Sequence, residues 1–194
     1  MSEDIVSLMD YFLELDKLKQ VERRSYIQTG HRVENSAEHS WHLAMACWII
    51  ADKFSLDLSQ EKLIKLALIH DLGEIDAGDT FLYAPNRNSA HEDERRGVQR
   101  LANHAGNSID DLVDLWEEQE LGISKEARLL KVVDRILPFL LNVTCQGRTW
   151  LEAGIKKSQV LEAHKFIEQE FPEIGAWIKE NIELAVRQGW LENS

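Results

Sequence analysis

The sequence predicts an all-α protein, and three observations lead to that prediction. The 194 residues include only ten glycines and three prolines, whereas a protein built from many short strands needs more turn-forming residues. Leu, Glu, Ala and Lys are abundant, and these residues favour helix. Apolar residues recur at intervals of three and four along much of the chain, which is the period of an amphipathic helix.

Length and charge bound the number of domains and the class of ligand. A chain of 194 residues has the size of one domain with a substantial core, and we expect one domain over residues 1–194. The net charge of −12 argues against a surface for polymeric nucleic acid, because phosphate backbones are bound by clustered Lys and Arg. Small anionic substrates remain compatible with this charge, since a bound divalent cation reverses the local field.

The amino terminus and the two cysteines predict a soluble, cytoplasmic protein. The first four residues are acidic and lack a signal-peptide pattern, and no apolar run approaches the ~20 residues of a membrane span. Cys47 and Cys145 lie in apolar helical stretches without a CxxC partner, so we expect two reduced thiols.

Helical spacing predicts a first helix over Ile5–Lys19 with one buried apolar face, followed by a polar connector over Val21–Gly30. The apolar positions are Ile5, Leu8, Met9, Phe12, Leu15 and Leu18. Arg23 and Arg24 lie in the connector, where an exposed surface charge is the common role of arginine. One of them could instead bind an oxyanion, because a guanidinium donates to two oxygens at once.

Two predicted helices carry histidine and aspartate. Asn35 or Ser36 is suited to cap a long helix that places His39 in its first turn. A central apolar helix then leads to His70 and Asp71. This pair offers a nitrogen and an oxygen to a divalent metal, although capping at a helix end is the alternative for such a dipeptide.

Acidic residues follow the His70–Asp71 pair directly, in a stretch that contains Glu74, Asp76 and Asp79. Exposure is the usual state of loop carboxylates, but proximity to the pair favours a role in the site. The next residues, 81–88, are predicted to form a loop over that site.

Three later positions carry helix-start signals, at Ser89, Ser108 and Ser124. The helix after Ser124 is apolar and interrupted by Asp134. A buried carboxylate needs a cation, a basic partner or a water-filled pocket, so Asp134 is a candidate site residue. The C-terminal helices, over about residues 150–190, contain no comparable group, and we expect them to serve packing or dimerisation.

A His, His-Asp, Asp order on separate helices resembles the HD-domain superfamily of metal-dependent phosphohydrolases. The motifs that carry the resemblance are Glu34–Ser40, His70–Glu74, Gly78–Asp79 and Lys131–Asp134. Within the superfamily they are similar to the bacterial five-prime-deoxynucleotidases and their eukaryotic HD-domain relatives. The resemblance covers about Leu15–Leu141 and implies a helical bundle, usually a homodimer, with a metal site between core helices.

The resemblance also implies roles for single residues. His39, His70, Asp71 and Asp134 would hold one divalent metal ion, which could be Co, Mn, Ni, Zn, Mg or Fe. Arg24 would bind the substrate phosphate, and Glu74 would position the attacking water. Asp79 would contact the substrate and help to protonate the leaving oxygen, and Thr80 is expected to bind substrate. The aromatic residue that follows the arginine in bacterial deoxynucleotidases is replaced by Ser25, so the choice between ribose and deoxyribose stays open.

The resemblance therefore implies a metal-dependent hydrolase of nucleoside five-prime-monophosphates, with deoxynucleotides as one candidate group of substrates. One alternative is a hydrolase of another phosphate ester or of a cyclic nucleotide. A two-metal version would need His42, His91 or His104 as further ligands. A second alternative is a noncatalytic nucleotide-binding regulatory module that retains the metal pocket.

Overall fold

The computed structural model describes residues 2–84 and 87–193, and it describes no side chains for residues 87–89. Within these ranges the chain is predominantly helical, as predicted, with one small sheet formed by β1 (Glu22–Tyr26) and β2 (Val33–Asn35). A 3-10 helix, Lys17–Gln20, precedes β1. The longer helices are α1 Glu3–Asp16, α2 Ser36–Lys53, α3 Gln60–Ile69, α5 Arg87–Ala102, α6 Leu112–Leu121, α7 Lys125–Thr144 and α11 Pro172–Arg187. The shorter helices are α4 Glu74–Ala77, α8 Arg148–Ala153, α9 Lys157–His164 and α10 Ile167–Glu170.

The chain divides into two compact units. The first comprises Met1–Arg23 and Asn35–Val133, and the second comprises Arg24–Glu34 and Asp134–Ser194. The boundaries fall inside β1, β2 and α7. The expectation of one domain stays a prediction.

The core of the first unit is formed by apolar side chains from α1, α3, α5 and α6, together with the 3-10 helix and the segment that follows α3. Its buried members are Tyr11, Leu18, Ile69, Leu72, Val98, Leu101, Leu112 and Trp116. Ile69 and Leu72 flank the His70–Asp71 pair in the chain, so burial of these two apolar side chains fixes the backbone that carries the pair.

The start of α2 is fixed by a capping box. The Asn35 side chain accepts a hydrogen bond from the Glu38 backbone amide at 2.9 Å, and the Asn35 amide donates to the Glu38 carboxylate at 3.2 Å. These bonds satisfy two backbone donors that a helix start leaves without partners. The predicted cap is therefore confirmed, and it places His39 in the first turn of the helix.

Two glycines allow α4 and α5 to approach closely. A Cβ atom on Gly73 would lie 2.5 Å from the Glu94 carbonyl oxygen, and one on Gly97 would lie 2.8 Å from the Gly73 carbonyl oxygen. Both distances are too short for a methyl group, so neither position has room for a side chain. Gly73 precedes α4, which carries Glu74, and the close approach therefore sets the position of that carboxyl group.

The second unit has an aromatic core around Phe139 of α7. The Phe139 ring contacts the rings of Trp150, His164 and Trp177 at centroid distances of 5.5, 5.1 and 5.7 Å. The Thr149 hydroxyl donates to the Arg24 carbonyl at 2.9 Å and ties α8 to β1. The packing or dimerisation role expected of the C-terminal helices stays a prediction.

The predicted buried face of α1 is partly wrong. Ile5, Met9 and Phe12 are 45%, 47% and 52% exposed, and the face that packs inward is centred on Tyr11. Gly106 explains the choice of face, because it approaches the backbone of Ser7 so closely that a Cβ atom would lie 2.1 Å from the Ser7 carbonyl oxygen. The helix has two apolar stripes, and periodicity alone does not distinguish the stripe that meets this glycine.

Other local predictions have mixed outcomes. The polar connector contains β1, which periodicity did not reveal. Ser108 does not begin a helix, because α6 starts at Leu112 with Asp111 at its cap position. Ser124 does cap α7, since its hydroxyl accepts a hydrogen bond from the Ala127 amide at 3.1 Å.

Pro85 and Asn86 of the predicted loop lie outside the described residues. In the described part of the chain, every helix is too short or too polar to span a bilayer.

Replacement of Gly97 by alanine tests the α4–α5 approach. We expect Gly97→Ala to lower the free energy of unfolding by about 1–3 kcal/mol, because the new methyl group would overpack against the Gly73 carbonyl. An unhindered helix interior would instead gain about 0.5–1 kcal/mol from this substitution. Urea unfolding measures the change, with the exposed substitution Glu92→Ala on the same helix as control. A Gly97→Ala protein more stable than the parent would contradict the packing.

Candidate metal centre

Three side chains that could hold a metal ion meet in the first unit, from α2 and the segment after α3. His39, His70 and Asp71 each offer one ligand atom, and these atoms lie within 4.8 Å of one another. His39 is fully buried and His70 is 7% exposed. Their rings lie 5.4 Å apart between centroids. Two imidazoles and a carboxylate at this spacing form a donor set for a borderline divalent cation.

The orientation of His70 is set by two backbone contacts. Its Nδ1 lies 2.9 Å from the Ala67 carbonyl oxygen, and the buried Trp116 indole donates to the His70 carbonyl at 3.0 Å. Because Nδ1 faces a carbonyl oxygen, it carries the ring proton, and Nε2 is left with a lone pair for a metal. Such a second hydrogen bond is the usual way in which a protein orients a metal-binding histidine.

The Asp71 carboxylate faces two different groups with its two oxygens. Oδ1 lies 3.0 Å from His70 Nε2, and Oδ2 accepts a hydrogen bond from the Arg23 guanidinium at 2.8 Å. Burial alone would raise the pKa of Asp71, but the neighbouring His70 and Arg23 charges lower it below the usual value. Asp71 therefore stays ionised, with Oδ1 on the side of the two histidines and Oδ2 on the side of the arginine.

Arg23 also lies close to two further carboxyl groups. Its Nη1 atom is 3.7 Å from Glu74 Oε1 and 3.6 Å from Asp79 Oδ1. The Arg23 side chain is only 11% exposed. Arg24, the next residue of β1, is exposed, and successive side chains of a strand point to opposite faces.

The Glu74 carboxyl group is held in place from the α2 side. The Ser36 hydroxyl, on the first residue of α2, donates to Glu74 Oε2 at 2.5 Å. Burial raises the pKa of Glu74 to about 10, with the charges of Asp71 and Asp79 adding to the rise and that of Arg23 opposing it. Burial is the main cause of this shift, and the two neighbouring acids add to it.

The donor set fits a divalent cation. Asp71, Glu74 and Asp79 converge on one guanidinium group, which can balance only one of three carboxylates. His70 Nε2 and Asp71 Oδ1 lie 3.0 Å apart, and a buried nitrogen–oxygen pair at this distance needs a proton or a cation between or beside its atoms. A cation held by His39, His70 and Asp71 would satisfy both requirements.

The remaining predicted site residues are placed as follows. Asp79 belongs to the cluster through Arg23, and Thr80 lies next to it in a half-buried stretch. Asp134 lies on α7 and is half-buried rather than buried. Asp134 and Arg24 belong to the second unit, and their roles stay predictions from the sequence.

The structure places Arg23 in contact with Asp71, Glu74 and Asp79, a contact that the sequence did not predict. The short strand β1 is the signal that could have distinguished the two neighbouring arginines, because adjacent side chains of a strand point to opposite faces. The phosphate role that the family resemblance implies for Arg24 stays a prediction.

The histidines considered as further metal ligands have other contacts. His91 stacks on Trp116 at a centroid distance of 5.2 Å, with Nδ1 3.2 Å from a Glu120 carboxylate oxygen. His104 stacks on Tyr11 at 5.1 Å, and its Nδ1 accepts from the Gly106 amide at 3.0 Å. Within residues 2–84 and 87–193, His39, His70 and Asp71 are the single group of three or more such ligands.

Comparison with known proteins identifies the family of this site. A family model described as HD domain matches residues 15–175. The chain belongs to the HD domain family. It is also similar, over 97% of its length and 95% of the other chain, to a crystal structure from Magnetospirillum magnetotacticum described as a predicted metal-dependent phosphohydrolase, with a TM-score of 0.85 and 32% sequence identity.

Curated relatives share part of the chain. The 5'-deoxynucleotidase HDDC2 of Xenopus laevis is 29% identical over 135 residues, which cover 66% of this chain and 64% of the relative. The 5'-deoxynucleotidase YfbR of Salmonella paratyphi B is 28% identical over 135 residues, or 62% and 67% of the two chains. The chain thus spans slightly less than two thirds of the HDDC2 relative. The resemblance to HD-domain proteins drawn from the sequence is confirmed.

Replacement of Trp116 by phenylalanine tests how His70 is held. The substitution removes the indole donor to the His70 carbonyl but keeps an aromatic ring, and we expect metal affinity to fall by about tenfold, as for other partners that orient ligands. Titration with Mn²⁺ or Co²⁺ measures the change. Trp150→Phe is the matched control, a buried tryptophan of the second unit. Equal affinity of both variants and the parent would contradict the role of Trp116.

Proposed function

We propose that this protein is a metal-dependent phosphohydrolase that releases phosphate from nucleoside five-prime-monophosphates, including deoxynucleotides. The observation that carries the proposal is the convergence of His39, His70 and Asp71 with a buried arginine and two further carboxyl groups. The names of the HDDC2 and YfbR relatives support the nucleotide substrate. The proposal includes a cytoplasmic location and a homodimer, as expected from the sequence.

The proposed site would hold one divalent ion through His39, His70 and Asp71, with Asp134 as the fourth ligand predicted from the sequence. The ion would supply positive charge to the phosphate and increase the acidity of a bound water. Its identity among Co, Mn, Ni, Zn, Mg and Fe is set by geometry and availability, because a mixed nitrogen and oxygen donor set accepts all of these metals.

In this proposal Arg23 binds the nonbridging phosphate oxygens. Its side chain is almost fully buried and lies at hydrogen-bond distance from Asp71, so its position is fixed before substrate binds. A guanidinium group matches two phosphate oxygens at once, and it stabilises the negative charge that is shared among them in the transition state. We therefore assign to Arg23 the phosphate role that the sequence had suggested for Arg24.

Glu74 and Asp79 would handle the water and the leaving group. Glu74, held by the Ser36 hydroxyl, orients the water that forms the new bond to phosphorus. The bond from phosphorus to the ribose O5′ atom breaks, and a proton moves to O5′. Asp79 lies beside Arg23 and is the group proposed to assist that proton transfer.

A substrate panel tests the proposed reaction. Wild-type protein with Mn²⁺ or Co²⁺ should release inorganic phosphate from deoxynucleoside and ribonucleoside five-prime-monophosphates, and about one ion should bind per chain. Asp71→Asn should lose both metal and activity, since it removes a charged ligand. Asp57→Asn, at an exposed aspartate paired with Lys125, is the control. Full activity of metal-free Asp71→Asn protein would contradict the proposal.

The two neighbouring arginines give a direct test of phosphate binding. We expect Arg23→Ala to reduce kcat/KM by about a hundredfold or more, as for other groups that stabilise transition-state charge. Arg24→Ala, the matched control one residue away on the opposite face of β1, should change kcat/KM much less. Steady-state phosphate release measures both variants. A large loss in Arg24→Ala with little effect of Arg23→Ala would restore the assignment made from the sequence.

The same substrate panel separates the two alternatives from the proposed reaction. The first alternative is hydrolysis of another phosphate ester or of a cyclic nucleotide, and the second is a noncatalytic regulatory role. A cyclic-nucleotide enzyme of the two-metal type needs a second group of ligands. The described residues hold one such group. Tight nucleotide binding without turnover by any metal-loaded form would favour the regulatory module.

A further inference from the structure

An aromatic pair follows the acidic cluster in the chain. Phe81 and Tyr83 lie two and four residues after Asp79, and their rings meet edge to face at a centroid distance of 5.3 Å with an interplanar angle of 73°. Both residues are half-buried. The core of the first unit is formed by other side chains. Both residues are thus partly accessible in a loop, which leaves surface on which a ligand could stack.

The loop that carries the pair has a defined backbone. Gly78 adopts a φ of +77°, a left-handed conformation in which a side chain is strained, and a Cβ atom there would meet no other atom within 4 Å. Glycine is thus required by conformation rather than by space. Three residues later, the Ala84 amide donates to the Phe81 carbonyl at 2.9 Å and closes a turn that contains Tyr83.

The start of the same loop is anchored at the phosphate side of the proposed site. Asp79 Oδ1 lies 3.6 Å from Arg23 Nη1, and Arg23 in turn contacts Asp71. Two residues of chain span at most about 7 Å between Cα atoms, so Phe81 begins within that distance of Asp79. In a nucleoside monophosphate, one ribose ring separates the charged phosphate from the flat, neutral base. The base is therefore separated from the phosphate by a short distance, as Phe81 is from Asp79.

The chemistry of the pair matches the base rather than the phosphate. Aromatic rings attract nucleobases by stacking, and this attraction depends little on which base is bound, because every base has a π-face. The groups around the metal ligands are charged, whereas Phe81 adds an apolar ring and Tyr83 a ring with one hydroxyl. Edge-to-face packing against Tyr83 restricts the Phe81 ring and reduces the entropy lost when a ligand stacks on it.

The geometry points to Phe81 and Tyr83 as the base-binding part of the active site, with Phe81 as the principal stacking surface. This inference rests on the proposed function, because it places the base by reference to a phosphate at Arg23. It assigns recognition of the base to stacking. The protein should therefore require a base on its substrate and discriminate weakly among the four bases.

Comparison of a nucleotide with its base-free analogue tests the inference. Wild-type protein should hydrolyse deoxyadenosine 5′-monophosphate with a kcat/KM at least about tenfold above that for 2-deoxyribose 5-phosphate, the size expected of one base–aromatic stack. Phe81→Leu should reduce this ratio towards one by lowering only the nucleotide value. Phe81→Tyr, which keeps the ring, should restore most of it. Phe12→Leu, at an exposed phenylalanine of α1, is the matched control and should leave the ratio unchanged.

The outcomes separate this inference from the proposed reaction. An equal loss of activity towards both compounds in Phe81→Leu would mean that the ring only supports the loop, and it would overturn the inference. A wild-type ratio near one would also overturn it. If no compound is hydrolysed, the proposed reaction fails, and calorimetric binding of the same two compounds to the Mn²⁺-loaded protein decides the inference alone. Tighter binding of the nucleotide that is lost in Phe81→Leu supports it, and equal binding contradicts it.

Discussion

The crowding of like charges around a single buried guanidinium is the constraint on which this site depends. Asp71, Glu74 and Asp79 all lie within 3.7 Å of Arg23, and two buried imidazoles stand beside them. Buried carboxylates are costly unless they are paired, and burial, together with the charges of Asp71 and Asp79, raises the pKa of Glu74. A divalent ion is the compensation that the donor atoms of His39, His70 and Asp71 are arranged to accept.

The surrounding fold serves to hold these charged groups in a position that they would not adopt by mutual attraction alone. The capping box at Asn35 sets the first turn of α2, which supplies both His39 and the Ser36 hydroxyl that binds Glu74. Trp116 fixes the backbone of His70. The contact between Gly73 and the backbone of α5 fixes the start of α4. These contacts are made mainly by backbone groups and uncharged side chains, and together they position the charged groups before any ligand arrives.

The sequence predicted the helical fold and a ligand set of His39, His70, Asp71 and Asp134, of which the structure brings the first three together. Helical periodicity and metal-binding residue types are both visible in a linear chain. The sequence did not predict that Arg23 contacts the three acids. Arg23 and Arg24 differ by one residue in register, and in a strand one residue reverses the face. The inward face of α1 was also partly missed, since only the backbone approach of Gly106 selects the stripe around Tyr11. Both misses concern which side of an element faces inward, a property set by tertiary contacts that have no local signal.

The central claim, that His39, His70 and Asp71 hold a cation, is tested most directly by crystallography of the Mn²⁺-loaded protein with anomalous scattering. The account predicts one anomalous peak within about 2.0–2.4 Å of a nitrogen of each histidine and an oxygen of Asp71. It predicts a ligand contact through His70 Nε2, the ring atom that does not face the Ala67 carbonyl. A metal-loaded crystal in which the ion lies elsewhere, with these three side chains bonded only to protein groups, would contradict the account.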